Sequence, residues 1–578
     1  MPKPRYFHGI VIVGGGTAGL VLANRLSEDP TQSILVLEAG SDLSEDIRVK
    51  APALYQSLLG TDANWGFQTV PQPNLKGRSV DLHQGRTLGG TSAINGHIYE
   101  SALGNHGWNQ DALRKYYAKA YTFPSIDESS EKSLGVEGFM GSNNLSNGPV
   151  QLSFAGNMDH PIREAWAEAF RSQGHYMSCN PLQRTSDSDT LIGSFSCLSS
   201  INPETKERSF AVSAYYDPIK DRPNLDLLTN TVLATKEVII SAGVFQSPKI
   251  LELSGIGDPR ILTEYGIEPV KNLPVGENLQ DHLICGTSFE VGKDLETLDD
   301  LIRQEPAAIE RSMQEYLMSR TGPLTSIGMH TYAYLPVISK PGREAIDALL
   351  RDHLPPLGDL PSDIRAQMYY QLVKKTLISA QLPSAAYLSV VGQQILPVDP
   401  RSDSPAGPLP GKFITLGVML SQPLSRGSVH IASSDPSVAP RIDPKYFSNP
   451  IDAEVMAQHM LYLDTIAKSS PLSKLFKQPL RRRDPAADLT TVDSAKNYVR
   501  TSAISMWHYA GTCAMLPEEK GGVVSNELKV HGVKGLRVVD SSAIPLISTA
   551  NIQSTVYALA ERAADLIKEE YGIQSGLV

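Results

Sequence analysis

Near its start the chain reads Gly9-Ile10-Val11-Ile12-Val13-Gly14-Gly15-Gly16-Thr17-Ala18-Gly19. The run of β-branched residues predicts a buried strand, and the glycines allow a tight turn that brings the backbone close to a pyrophosphate. A second apolar run, Ser33-Ile34-Leu35-Val36-Leu37-Glu38, ends in an acid about 20 residues beyond the glycines, where a carboxylate accepts hydrogen bonds from ribose hydroxyls. The sequence therefore predicts a βαβ dinucleotide-binding unit of the α/β class, with a helix N-terminus facing phosphate groups. No basic residue follows Glu38 to hold a 2′-phosphate, which disfavours NADP.

Length and charge narrow the class of protein further. A chain of 578 residues is too long for one hydrophobic core, so two or more domains are expected. A content of 41% hydrophobic and 20% charged residues is typical of a globular enzyme. The net charge of -10 argues against nucleic acid and against anionic membranes, because both require an excess of Lys and Arg.

Cysteine usage and the N-terminal sequence indicate a compartment. The 4 cysteines are scattered and form no CxxC pair, so neither a disulfide scaffold nor a metal site is expected. The first eight residues run directly into the first strand and leave no room for a secretory h-region, and the apolar run that follows is too short to span a membrane. We therefore expect an intracellular, cytoplasmic protein without a membrane span. The sequence carries no indication of its oligomeric state.

Periodicity predicts further elements along the chain. Strands are expected at residues 224–232, 237–241, 413–418, 427–431 and 536–540, and helices at 161–173, 248–253, 310–319 and 554–570. The strands at 413–418 and 427–431 are expected to pair with each other. No internal repeat and no low-complexity linker divides the chain into independently folding halves.

Two polar residues near the C-terminus suggest a proton-transfer site. His508 lies in Trp507-His508-Tyr509 and Asn551 in Thr549-Ala550-Asn551-Ile552, each just before an apolar run. A histidine has an unperturbed pKa near 6.5 and suits the role of general base, while an amide at neutral pH can only donate or accept a hydrogen bond. Taken alone, a histidine between two aromatic residues has a structural role by default.

Five blocks of the sequence together resemble the glucose–methanol–choline (GMC) family of flavin oxidoreductases. In family order they are the opening fingerprint with Glu38; Gly85-Arg86-Thr87-Leu88-Gly89-Gly90-Thr91-Ser92-Ala93-Ile94-Asn95-Gly96; Lys236-Glu237-Val238-Ile239-Ile240-Ser241-Ala242-Gly243 through to Ser254-Gly255-Ile256-Gly257; Pro274-Val275-Gly276-Glu277-Asn278-Leu279-Gln280-Asp281-His282; and the stretch from His508 to Asp565. The resemblance spans essentially the whole chain, and five ordered matches are far more specific than one.

The resemblance implies a two-part architecture. It consists of a discontinuous, Rossmann-like FAD-binding domain of the glutathione-reductase type and an α+β substrate domain with an antiparallel sheet. The expected FAD-binding parts are residues 1–150, 224–285 and 519–578. A connecting segment covers residues 151–223, and the substrate-binding domain covers residues 286–518.

The resemblance also implies FAD as the cofactor and a set of residues that bind it. These residues are Gly14, Gly16, Thr17, Ala18, Gly19, Glu38, Ala39, Thr91, Ser92, Asn95, Gly96, Val232, Asp540, Ser541 and Ile552. Some family members bind the flavin covalently through a histidine just before the asparagine of the second block. Ile94 occupies that position here, so non-covalent binding is expected.

The reaction implied by the resemblance is oxidation of a small-molecule alcohol, with O₂ or a quinone as electron acceptor. His508 would be the base, and Asn551 would hold the substrate oxygen. Trp507, Tyr509 and His330 would line the pocket. Because many members have proline where Tyr509 stands, we hypothesise an aromatic substrate. The expected intracellular location favours a role in specialised metabolism. The alternative is a lyase or cyclase that retains FAD without net redox change.

One departure from the family pattern concerns the segment after Val232. Family members usually have a longer β-hairpin before the strand that contains Lys236-Glu237-Val238, whereas only Leu233-Ala234-Thr235 intervene here. Either the small sheet is trimmed, or a piece of the natural sequence is missing. Edge strands that cover the adenine end would then be absent.

Overall fold

The structure, a computed structural model, describes residues 5–7, 9–99, 108, 110–124, 134, 146–175, 192–228, 232–337, 348, 351, 364–394 and 407–574. The strands of this part are β1 (Arg5–Phe7), β2 (Gly9–Val13), β3 (Ser33–Leu37), β4 (Phe67–Gln68), β5 (Asp81–Leu82), β6 (Tyr121–Thr122), β7 (Val150–Gln151), β8 (Gly193–Ser196), β9 (Leu225–Leu228), β10 (Val232–Ala234), β11 (Glu237–Ile240), β12 (Glu277–Leu279), β13 (Leu283–Glu290), β14 (Met329–Leu335), β15 (Ala385–Val390), β16 (Phe413–Leu420), β17 (Gly427–His430), β18 (Arg441–Asp443), β19 (Ile504–Ser505) and β20 (Leu536–Val538).

Its α-helices are α1 (Thr17–Leu26), α2 (Ile47–Lys50), α3 (Thr91–Ile94), α4 (Gln110–Ala120), α5 (Ile162–Ser172), α6 (Gly243–Leu253), α7 (Pro259–Glu264), α8 (Asp299–Ile302), α9 (Pro306–Ser319), α10 (Ile364–Ile378), α11 (Pro450–Lys468), α12 (Val492–Ser502) and α13 (Gln553–Tyr571). Among the described helices, none is long and apolar enough to cross a lipid bilayer.

Three distant stretches of the chain build one parallel sheet. Its strand order is β20-β11-β2-β3-β9, and all four neighbouring pairs are parallel. Ile10 and Ile12 of β2 are fully buried, and α1 packs against α13 beside the sheet. The predicted βαβ unit is confirmed: its first strand has the predicted bounds, and its helix begins at Thr17, directly after the glycine turn.

A six-stranded antiparallel sheet forms the second layer. Its strand order is β19-β13-β16-β15-β14-β8, with β16 between β13 and β15. Helix α11 packs against β16, and α5 packs against β8 and β14. Strand β13 crosses the predicted domain boundary between residues 285 and 286. The domain boundaries themselves stay predictions.

The predicted pairing of the strands near 413 and 427 is wrong. All of β16 is buried, as expected for a strand in the middle of a large sheet, whereas β17 pairs with β12 and β18 in a separate three-stranded sheet. Leu424 and Ser425 lie in the segment that joins β16 to β17. Their backbone N–H groups donate to the carboxylate of Asp452, both at 2.8 Å. The segment held in this way leads the chain out of the six-stranded sheet and into the three-stranded sheet.

The short connection after Val232 leads from one sheet to another. Strand β10 runs parallel to β1, with Val232 opposite Arg5, and only Thr235 and Lys236 separate β10 from β11. The strand expected at 224–232 is β9 followed by β10, and residues 229–231 lie outside the described part. Helix α6 begins at Gly243, five residues before the predicted start at Pro248, which lies inside the helix.

A buried ion pair joins the C-terminal strand of the parallel sheet to its neighbour. Arg537 of β20 is 1% exposed, and its Nε donates to Glu237 Oε1 of β11 at 2.6 Å. Replacing Arg537 with Met leaves the Glu237 carboxylate buried without this partner, which costs about 3–5 kcal/mol. We predict that Arg537→Met lowers the midpoint of thermal unfolding by several degrees.

The control is Arg260→Met, because Arg260 pairs with Asp258 on the surface and such pairs contribute little. Its unfolding midpoint should not change measurably. Equal midpoints for the two variants would contradict the assigned role of the buried pair.

Candidate active site

An elongated cavity of about 1810 Å³ extends from the glycine turn after β2 to the loop that carries His508. Pockets for a single small ligand usually measure about 300–1,000 Å³, so this cavity can hold a large cofactor and a second molecule. Predicted cofactor residues that line it are Gly14, Gly16, Thr17, Ala18, Glu38, Ala39, Thr91, Ser92, Asn95, Gly96, Asp540, Ser541 and Ile552. Predicted residues of the reaction end that line it are Trp507, His508, Tyr509 and Asn551.

The nucleotide end of the cavity offers an uncapped helix. Helix α1 has Gly16 as its N-cap, no side chain caps it, and its first turn contains no acid. Its N–H groups and positive dipole end therefore favour an anion in the cavity. Glu38 accepts backbone N–H groups of Gly15 and Gly40, each at 2.8 Å, while burial raises the pKa of its carboxyl. A carboxylate has about four acceptor sites, so Glu38 can still bind ribose hydroxyls.

Two glycines bring the backbone of this end close together. Gly90 has a φ of +54°, and a Cβ there would lie 2.8 Å from the Cα of Gly16. Gly19, the third of the predicted glycines, lies behind the turn. It does not line the cavity; a Cβ there would lie 1.9 Å from the carbonyl oxygen of Gly14, so Gly19 allows α1 to pack against its own turn.

The middle of the cavity is braced by buried polar groups. Asn95 Oδ1 accepts from Arg208 Nη1 at 2.8 Å and from the His97 N–H at 3.1 Å. The Ser247 hydroxyl donates to Asp540 at 2.5 Å, and the Gly243 N–H donates to it at 2.9 Å. An extended cavity with an uncapped helix, a free acceptor for ribose and a rigid central wall fits an FAD molecule. The backbone contact predicted for Val232 stays a prediction.

His508 and Asn551 meet at the far end of the cavity. Asn551 Nδ2 lies 3.2 Å from His508 Nε2, and Asn551 Oδ1 accepts from the Tyr332 hydroxyl at 3.2 Å. Burial lowers the pKa of His508 well below 6.5, and the neighbouring His282 lowers it further. The imidazole is therefore neutral at pH 7 and able to accept a proton.

Asp281 and His282 both contact His508. Neither residue was predicted from the sequence to belong to the site. The carboxylate of Asp281 accepts the His508 backbone N–H at 3.0 Å, and the imidazole of His282 lies against that of His508, with their Nδ1 atoms 3.0 Å apart. Trp507 has a φ of +60°, a left-handed conformation that the surrounding contacts must impose. The Asp-His dipeptide that ends the fourth block is the signal that could have drawn attention to both residues.

The predicted pocket residues divide into two groups. Tyr509 packs with its ring centroid 4.6 Å from that of Phe245, and Trp507 lies 4.9 Å from the ring of His83. His330 lies elsewhere than predicted: it bonds to Arg163 Nη2 at 3.1 Å and stacks on His160. The reason is strand alternation, since Met329, its neighbour on β14, lines the cavity instead.

Among the described residues, no group of three or more His, Cys, Asp or Glu side chains could hold a metal ion.

The fold and the cavity define the class as a flavin-dependent oxidoreductase. The chain belongs to the GMC oxidoreductase family: the model of the family's N-terminal domain matches residues 9–233 and 226–284, and that of its C-terminal domain matches residues 423–560. Its cofactor is FAD, as the family and the solved relatives establish. The two N-terminal matches overlap next to the short connection that follows Val232.

Relatives cover nearly the whole chain. It is 33% identical to the dehydrogenase mpl7 of Monascus purpureus, over 97% of this chain and 96% of that protein. An FAD-dependent oxidoreductase from Chaetomium thermophilum has a TM-score of 0.82 at 28% identity, covering 98% of this chain and 100% of that one. A fungal aryl-alcohol oxidase has a TM-score of 0.80 at 25% identity, with the same coverage of both chains.

The lowered pKa of His508 predicts a pH profile for flavin reduction by substrate. Only the neutral imidazole accepts a proton, so the rate should stay constant from about pH 8 to about pH 6.5 and fall only where His508 becomes protonated, well below 6.5. Anaerobic stopped-flow absorbance measures this rate. Burial raises the pKa of Asp281, which accepts the backbone N–H of His508, to about 7, so the profile is also measured in Asp281→Asn. A loss of half the rate above pH 6.5 in both proteins, with FAD still bound, would contradict the assignment.

Proposed function

We propose that the protein oxidises a neutral, apolar alcohol to the carbonyl compound, with His508 as the base. The observation that carries this proposal is the pair formed by His508 Nε2 and Asn551 Nδ2, 3.2 Å apart on the cavity wall. A neutral imidazole and an amide donor at this distance can engage one hydroxyl group between them.

The steps assigned to the protein are simple. The substrate hydroxyl accepts a hydrogen bond from Asn551 Nδ2 and donates its proton to His508 Nε2. As the alkoxide develops, Asn551 holds the oxygen, because its amide cannot take the proton itself. Gly16, Thr17 and Glu38 would hold FAD, which would supply the acceptor for the hydride lost from the carbinol carbon. Ile94 precedes Asn95 and has no nucleophilic atom, which supports non-covalent binding of FAD.

The polarity of the cavity supports the choice of substrate class. The antiparallel sheet contributes an aliphatic wall to the cavity, formed by Ile284, Met329, Leu388, Val390 and Ile504, together with the uncharged hydroxyls of Thr415 and Ser505. Among the described residues, the Asp, Glu, Lys and Arg side chains that line the cavity are Glu38, Arg86, Lys249 and Asp540, and none belongs to this sheet. Burial of an unpaired charge there would be costly. Tyr509 and Trp507 make aromatic alcohols the first compounds to test, and O₂ or a quinone would reoxidise the flavin.

Removal of the base tests the proposed reaction. We predict that His508→Ala slows anaerobic bleaching of the flavin absorbance by about 10²–10⁴-fold, the usual contribution of a general base. The bound FAD per protein should stay unchanged. His531→Ala is the matched control, because His531 bonds to the Leu516 carbonyl outside the cavity and should keep the wild-type rate.

Two outcomes would contradict the proposal. One is an undiminished rate of bleaching in His508→Ala. The other is turnover of the substrate while the flavin stays oxidised under anaerobic conditions, which would establish the lyase or cyclase reaction instead.

The aliphatic wall predicts discrimination by charge. Of two compounds of similar size, 4-methylbenzyl alcohol should reduce the flavin far more efficiently than 4-carboxybenzyl alcohol. An unpaired carboxylate against this wall costs about 3 kcal/mol or more, which lowers kcat/KM by about 100-fold or more. Steady-state kinetics on both alcohols measures the ratio. Equal kcat/KM values would show that a charged group is accommodated.

A further inference from the structure

We propose that His282 is a positioning residue that holds His508 in the tautomer with its proton on Nδ1 and its lone pair on Nε2. This inference rests on the proposed role of His508 as the base. It assigns a role to a side chain that the proposed reaction does not itself use.

The backbone carbonyl of Ser421 determines where His282 carries its proton. The carbonyl oxygen lies 2.9 Å from His282 Nε2. A carbonyl can only accept a hydrogen bond, so Nε2 of His282 must carry a proton. This contact involves no group with an interchangeable donor and acceptor, so it fixes the proton of His282 on Nε2.

The contact between His282 and His508 then determines which nitrogen of His508 carries the proton. His282 is fully buried, and burial lowers its pKa to about 4, so it is neutral at pH 7. With its proton on Nε2, its Nδ1 is an acceptor. Since the two Nδ1 atoms lie 3.0 Å apart, His508 must donate from its own Nδ1. Nε2 of His508 then bears the lone pair.

The remaining contacts agree with this assignment. Asn551 Oδ1 accepts from the Tyr332 hydroxyl, which leaves Nδ2 to donate to the lone pair on His508 Nε2. The carboxylate of Asp281 accepts the backbone N–H of His508 and not a ring N–H. A neutral imidazole, backed by a backbone carbonyl, thus takes the place that an aspartate has in a Ser-His-Asp triad.

Without an acceptor at position 282, His508 would be free to carry its proton on Nε2, where it cannot act as a base. Hydrogen-bond partners that orient a metal-bound histidine contribute about 10–100-fold, and we expect a similar contribution from a partner that orients a catalytic histidine. The test compares His282→Leu, which offers no acceptor, with His282→Asn, whose Oδ1 can accept from His508 Nδ1. We expect flavin reduction to slow by about 10–100-fold in His282→Leu with little change in KM, and His282→Asn to restore most of the rate.

A readout besides activity is ¹⁵N NMR of the histidine-labelled holoprotein at pH 7.5, with the signals of His508 identified from their loss in His508→Ala. We expect a protonated Nδ1 and an unprotonated Nε2 for His508 in the wild type, and a mixture of tautomers in His282→Leu. A proton on Nε2 in the wild type would overturn the inference, even if either variant fails to fold. Equal rates in the folded Leu and Asn variants would also overturn it. The proposed function fails separately, if His508→Ala keeps the wild-type rate of flavin reduction.

Discussion

Several hydrogen bonds converge on the buried carboxylate of Asp281, and the reaction end of the cavity depends on them. The hydroxyls of Tyr446 and Ser505 donate to it at 2.5 and 2.6 Å, and the backbone N–H of His508 donates at 3.0 Å. Burial raises the pKa of this carboxyl to about 7 despite these bonds. Just before it, the Gln280 N–H donates to the Ala510 carbonyl at 2.9 Å. One short segment therefore contacts the backbone of His508, the proposed base, and the next residue of the segment, His282, contacts the ring of His508.

Burial of this end of the cavity explains why His508, the proposed base, is neutral. The charged side chains of the cavity, Glu38, Arg86, Lys249 and Asp540, lie outside the antiparallel sheet, and the uncapped start of α1 lies where the nucleotide of FAD would bind. The opposite end is bounded by the aliphatic face of the antiparallel sheet. Desolvation there keeps His508 unprotonated, and the only ring partners that the described residues provide are His282 and Asn551. The polarity of the cavity lining therefore differs between the end proposed to bind the cofactor and the end proposed to transfer the proton.

The sequence predicted these parts unequally, for physical reasons. The first strand was predicted to the residue, because four β-branched residues followed by glycines admit few other structures. His508 and Asn551 do come together, as their similar contexts suggested. His330 was assigned to the pocket from its sequence neighbours, but strand alternation gives that place to Met329. The role of His282 depends on a contact across 226 positions of the chain and on the carbonyl of Ser421, which no local pattern encodes. Strands such as β13 were missed because almost all of their residues are buried, which removes the alternating signal.

The central proposal is that the protein oxidises a neutral alcohol by removal of a hydride from its carbinol carbon. The most direct measurement is the rate of anaerobic flavin bleaching by an apolar aromatic alcohol and by the same alcohol deuterated at the carbinol carbon. The account predicts a primary isotope effect, with the deuterated alcohol bleaching the flavin several-fold more slowly in wild-type protein. Equal rates for the two alcohols at every substrate concentration, or product formation without bleaching, would contradict it.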